Sequence, residues 1–86
     1  MFVRKIDDNS NIIGKNLYKY RKTEKNIPTR VFCEKLDLLG ITMFHSDILK
    51  IEKGERIVKD FEIKAFAKVL GKTLDEMYAD TDQYYE

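Results

Sequence analysis

The stretch Ser46-Asp47-Ile48-Leu49-Lys50-Ile51-Glu52-Lys53-Gly54-Glu55-Arg56 reads as a short helix with an abrupt stop. Ile48 and Ile51 fall on one helical face, and Gly54 supplies the left-handed residue that ends it. Lys50 and Lys53 load its C-terminal end with positive charge. A helix this short cannot hold itself together in water, so it needs neighbours to cover its apolar face. The flanking sequence supplies them, and in the same form.

Five helices and little that could be a strand are predicted. The first, residues 10–24, turns Ile13, Leu17 and Tyr20 inward and keeps Lys15, Lys19, Arg21 and Lys22 on its wet side. Pro28 suits the first turn of the second helix, where a missing N–H costs nothing. Phe32 and Leu36 follow as core residues, with Leu39 a further candidate. The third helix covers residues 45–53. The fourth covers residues 60–70, burying Ile63, Phe66, Ala67 and Leu70 before Gly71 stops it. Thr73-Leu74-Asp75-Glu76 is a capping box, in which the Thr hydroxyl and the Glu carboxylate satisfy each other's free backbone donors, and it opens a short fifth helix. The tail after it has no periodicity and is expected to fray.

The string Lys50-Ile51-Glu52-Lys53-Gly54-Glu55-Arg56, followed after a short loop by Ala65-Phe66-Ala67-Lys68-Val69-Leu70-Gly71-Lys72-Thr73-Leu74-Asp75-Glu76-Met77-Tyr78, resembles the Cro/C1-type (XRE) helix-turn-helix family of bacterial and phage transcription regulators. The resemblance runs from about residue 12 to residue 78. The common pattern has a small residue in the first motif helix and Gly four positions later. Here Cys33 takes the small position, Asp37 falls where Gly is expected, and Gly40 comes three residues late. The chain therefore resembles a longer-turn variant. An all-α, five-helix, lambda-repressor-like DNA-binding domain is what the resemblance implies.

Length and composition agree with one small domain. Eighty-six residues leave room for a single modest core, divided as an N-terminal extension (1–9), the helical domain (10–79) and an acidic, aromatic tail (80–86). No apolar run approaches the roughly 20 residues that span a bilayer. Arg4, Lys5, Asp7 and Asp8 charge the N-terminus without an apolar h-region behind them, so a cytoplasmic protein with no membrane partner is expected. A single cysteine cannot form an internal disulfide. The formal net charge is only +1, so a DNA-binding chain of this composition must gather its positive charge on one face.

Carrying the family pattern onto these residues puts Phe44, His45, Ser46 and Lys50 at the base-facing positions of the recognition helix, the third in the chain. Lys can donate to guanine O6 and N7, Ser can reach either base, an imidazole can donate to guanine N7, and Phe can lie against a thymine methyl. Thr29 stands where family members contact a phosphate. Lys22, Lys53, Arg56 and Lys59 are further candidate phosphate contacts, which set register and affinity but carry no sequence information. The partner so implied is a double-stranded DNA operator, read by a homodimer. Met77, Tyr78, Tyr84 and Tyr85 are the candidate dimer surface, because aromatic residues and Met are enriched at interface cores.

Other signals read more blandly. His45 is the only histidine, too few for a zinc site built on several close ligands, and neither metal nor cofactor is expected. Cys33 is a packing group. Gly71-Lys72-Thr73 resembles the end of a phosphate-binding loop, but Phe66 occupies the position of its first glycine and no strand precedes it. Asp80-x-Asp82 lacks the rest of a calcium loop. No nucleophile and base pair up, so catalysis is not expected. Two function classes stay open: a sequence-specific regulator, acting as a repressor, and a protein-interaction module on the same fold. The second draws on three residues. Asp47 would repel phosphate unless it caps the helix or accepts from cytosine N4, Phe44 replaces the usual Ser or Thr cap, and Leu49 stands at a normally polar position.

Overall fold

The computed structural model describes residues 8–85. The expected extension up to Asp7, and Glu86 of the tail, lie outside them. The described chain is all-α, with five α-helices and no strand. Helix α1 (Gly14–Tyr18) runs on into a wider π-helical turn over Lys19–Glu24. After it come α2 (Thr29–Asp37), α3 (His45–Glu52), α4 (Asp60–Leu70), α5 (Leu74–Met77) and a closing 3-10 turn (Asp82–Tyr85). No described helix is long and apolar enough to cross a membrane.

Three helices end in the same hydrogen-bonded form. Ile41 N–H reaches Leu36 O after α2, Glu55 N–H reaches Lys50 O after α3, and Lys72 N–H reaches Ala67 O after α4. In each case a glycine with positive φ, Gly40, Gly54 or Gly71, stands just before the donor, which is the Schellman arrangement. Gly40 therefore comes late because α2 runs a turn further before stopping. Pro28 takes the cap position of α2 itself, one residue ahead of the expected first turn. At α5 both halves of the capping box form, Thr73 N–H to Glu76 Oε1 at 2.9 Å and Glu76 N–H to Thr73 Oγ1 at 3.1 Å.

The helices enclose one core. Ile13 at the cap of α1 and Leu17 within it, Phe32 and Leu36 of α2, Ile48 and Ile51 of α3, and Phe66 and Leu70 of α4 are all fully buried. Phe32 and Phe66 meet at its centre with ring centroids 5.8 Å apart. Helix α1 approaches the end of α3 so closely that a β-carbon on Gly14 would lie 2.3 Å from Ile51 O. Asn11 holds this crossing. Its Oδ1 accepts from Ile13 and Gly14 N–H, which caps α1, and its Nδ2 donates to Ile51 O at 3.0 Å and Arg56 O at 2.9 Å.

Four expectations need correction. Arg21, expected on the wet side of the first helix, is 4% exposed: it lies four residues after Leu17 on the inward stripe, and a carboxylate from α3 meets it there. Leu39 is not a core residue but 46% exposed, because α2 ends at Asp37 and the Schellman turn carries Leu38 and Leu39 outward. Met77, expected at a dimer surface, is fully buried. The tail is not without structure: Thr81 is buried with its Oγ1 donating to Tyr78 O, and a 3-10 turn follows over Asp82–Tyr85, while just ahead of it Asn16 Nδ2 donates to Met77 O and Ala79 O and fastens the end of α5 to α1.

Candidate nucleic-acid interface

Helix α3 has two opposed faces. Ile48 and Ile51 anchor it from behind, while Phe44, His45, Ser46 and Lys50 are exposed. The four expected base contacts thus share the outer side of one helix start, and Lys50 follows Ser46 by one turn. Leu49 is half-buried at its flank.

The first turn of α3 is held by a carboxylate. Phe44 occupies the cap with an extended backbone, and its side chain has nothing to offer an N–H. Asp47 forms the other half of a capping box: its Oδ2 accepts from Phe44 N–H at 2.9 Å. A negative charge at this end also suits the helix dipole. The same carboxylate lies 3.8 Å from Arg56 Nε, a long contact to a guanidinium that also pairs with Glu62. Thr29, the first residue of α2, hydrogen-bonds through Oγ1 to His45 Nδ1. That contact leaves His45 Nε2 as the imidazole's free polar atom.

The expected phosphate contacts differ in how free they are. Lys53 and Lys59 are exposed and form no ion pair among the described residues, although Lys59 Nζ sits 5.8 Å from the Phe61 ring centroid. Lys22 is exposed too and bonds to Asn26 Oδ1 at 3.3 Å. Arg56 is already engaged. Its Nη1 and Nη2 reach the two oxygens of buried Glu62 at 3.1 and 3.2 Å, which fixes the loop between α3 and α4. Burial pushes the Glu62 carboxyl upward, but the Arg56 guanidinium and the Lys59 N–H outweigh that and hold it below the usual carboxylate range.

Charge is divided along the chain more sharply than its sum suggests. Up to Thr73 the sequence carries 16 basic and 10 acidic residues; from Leu74 on it carries five acidic residues and no basic one. The net +1 is therefore the remainder of a basic body and an acidic end. Two acids on the basic part, Glu52 and Glu62, are neutralised in place by Arg21 and Arg56.

Between α2 and the start of α3 runs a groove of about 390 Å³, whose walls include Arg30, Cys33, Asp37, Met43, Phe44 and His45. Phe44 stands on its rim 70% exposed. Cys33 and His45 share this groove, yet no three His, Cys, Asp or Glu side chains among the described residues gather closely enough to hold a metal ion. Arg30 is a cation the sequence reading passed over; it is exposed at the start of α2 and paired with Glu34 at 3.0 Å, a pairing visible only as an i, i+4 spacing.

The expected dimer residues are spread out. Tyr78 is 40% exposed and borders a shallow cleft with Phe61, Lys64 and Leu74. Tyr85 is exposed, whereas Tyr84 is half-buried beneath Lys15. Set against protein-family models, curated proteins and solved structures, the chain matches none.

Proposed function

We propose that α2 and α3 form a helix-turn-helix, that α3 is its recognition helix, and that the protein is a sequence-specific DNA-binding regulator of the Cro/C1 type. One observation carries the reading. The outer face of α3 offers Phe44, His45, Ser46 and Lys50 together, on a helix whose opposite face is locked into the core. A rigid helix start with polar donors is what the major groove accepts. Lys50 donates to guanine O6 and N7, Ser46 reaches either base of a pair, His45 donates from Nε2, and Phe44 lies against a thymine methyl.

Lys22, Lys53 and Lys59 meet phosphates, Thr29 Oγ1 instead donates to His45 Nδ1 and sets that ring, and Arg56 holds the α3–α4 loop. The acidic end of the chain is kept away from the duplex, and its repulsion favours one docking orientation. Asp47 does not oppose binding strongly, because it caps α3 and faces Arg56.

The regulator acts as a repressor and as a two-fold dimer. Tyr78, with Phe61 and Leu74 beside it, forms the contact, since these large apolar side chains stand exposed near the chain's last helices. Selection of bound duplexes from a random pool tests the regulator reading. A shared motif with two-fold symmetry is the expected result, and a pool that stays random refutes it.

A further inference from the structure

The groove between α2 and α3 does more than border the reading face. Its floor is buried Met43 and half-buried Cys33, and its rim carries Glu34 and Asp37. Burial, with Asp47 nearby, pushes the Cys33 thiol up, so the floor stays uncharged. Directly after α2, Leu38 is 87% exposed and Leu39 follows it outward. Neither lines the groove itself, but Leu38 directly follows Asp37 of its wall, so an apolar occupant of the groove has an exposed aliphatic side chain close to its edge. Phosphate does not suit this end of the molecule, where Glu34 and Asp37 oppose it and Leu38 offers it nothing.

We propose that this groove docks a short amphipathic segment of a second protein, its apolar side chains over Met43 and Cys33 between Leu38 and Phe44, and its Lys or Arg side chains against Asp37 and Glu34. Charge complementarity selects that occupant. The Asp37 carboxylate forms no ion pair among the described residues, and Glu34 shares only an exposed contact with Arg30. A cation brought by the partner therefore meets the unpaired Asp37 carboxylate at the edge of an apolar floor, with Glu34 shared between it and Arg30, which also lines the groove. Such a segment covers Phe44 and His45, so it and an operator exclude each other. That consequence rests on the DNA-binding reading; the docking itself does not.

The test selects a displayed library of random helical peptides on the folded 86-residue chain. Enriched peptides are then titrated by fluorescence anisotropy against the wild type and against Asp37→Lys, Leu38→Lys and Asp75→Lys. The expected peptides combine large apolar residues with Lys or Arg. They lose about tenfold or more in affinity for Asp37→Lys and Leu38→Lys, keep it for Asp75→Lys, and displace labelled operator. Asp37 and Leu38 are exposed, so both variants should keep the wild-type circular dichroism. No enrichment, enrichment of acidic peptides, or affinity indifferent to both groove substitutions overturns the proposal. Wild-type self-association that Leu38→Lys abolishes also overturns it, by making a second copy the occupant. A chain that binds such peptides but no DNA upholds the docking and removes the regulator reading; a chain that binds DNA but no such peptide does the reverse.

Discussion

Arg21 grips both carboxylate oxygens of Glu52, Nε to Oε2 at 2.6 Å and Nη2 to Oε1 at 3.0 Å, with both side chains almost wholly out of water. A third guanidinium donor, Nη1, reaches Ile27 O at 2.7 Å. One ion pair therefore joins the π-helical turn after α1, the linker before α2 and the end of α3.

Breaking that pair from one side strands a buried charge. Arg21→Met or Glu52→Leu alone should cost about 3 to 5 kcal/mol, whereas the double substitution should recover much of the loss, because apolar groups can replace a buried pair. Urea unfolding of the three variants measures the coupling. Single substitutions within about 0.5 kcal/mol of wild type, as for ordinary surface changes, would contradict the buried pair.

Gly14 and Gly40 should respond differently to alanine. Gly14→Ala drives a β-carbon into Ile51 O, so the roughly 1 kcal/mol that Ala gains over Gly in a helix should be outweighed by an overpacking cost of about 1 to 3 kcal/mol. Gly40→Ala meets no atom within 4 Å and bears only the penalty of its φ of 83°, about 1 to 2 kcal/mol. Thermal melts report both. A Gly14→Ala protein more stable than wild type would mean that α1 and α3 are further apart.

Glu62 makes the fold acid-sensitive in a defined direction. Its folded carboxyl lies below its ordinary value, so its stabilisation is complete above the unfolded value of about 4.3 and is lost as pH falls through the lowered one. Glu62→Gln should be less stable than wild type at neutral pH, and the gap should narrow below about pH 4. Denaturant midpoints across that range check it; a gap independent of pH would deny the Arg56 pairing.

Tyr78→Asp should give monomers with reduced operator affinity and unchanged helical content, because a two-fold interface receives each substitution twice. Sedimentation at micromolar concentration decides. A wild-type chain that is monomeric with and without DNA rules the dimer out.

Helix ends marked by glycine or by a capping box were legible because their chemistry is local, whereas α1 starts at Gly14 and not at residue 10, because Asn11 Oδ1 accepts from Ile13 and Gly14 N–H ahead of it. Gly54, Gly71 and the Thr73/Glu76 box each signal within a few residues, and α4 spans residues 60–70 as its apolar spacing predicts. Burial that depends on a distant partner was not legible. Arg21 has the composition of a wet face, and only Glu52, 31 residues away, turns it inward. Met77 drew attention as an interface residue, yet exposed Leu74 and Tyr78 flank it while it fills the core. On α3, Ile48 and Ile51 identify the inward side, so the outward set follows from their spacing. That Arg56 is spoken for could not, because Glu62 binds it across a loop with no fixed spacing.

Lys50 tests the central claim most directly. Lys50→Ala should relax base preference at one position of the selected duplex and cost about 1 to 3 kcal/mol there, while Lys53→Ala should weaken all duplexes alike and reduce the salt slope by about one. Anisotropy titrations of matched and single-mismatch duplexes at several salt concentrations separate the two. A Lys50→Ala protein that loses affinity equally for every duplex, or a wild type that binds none at low salt, would contradict α3 as a base-reading helix.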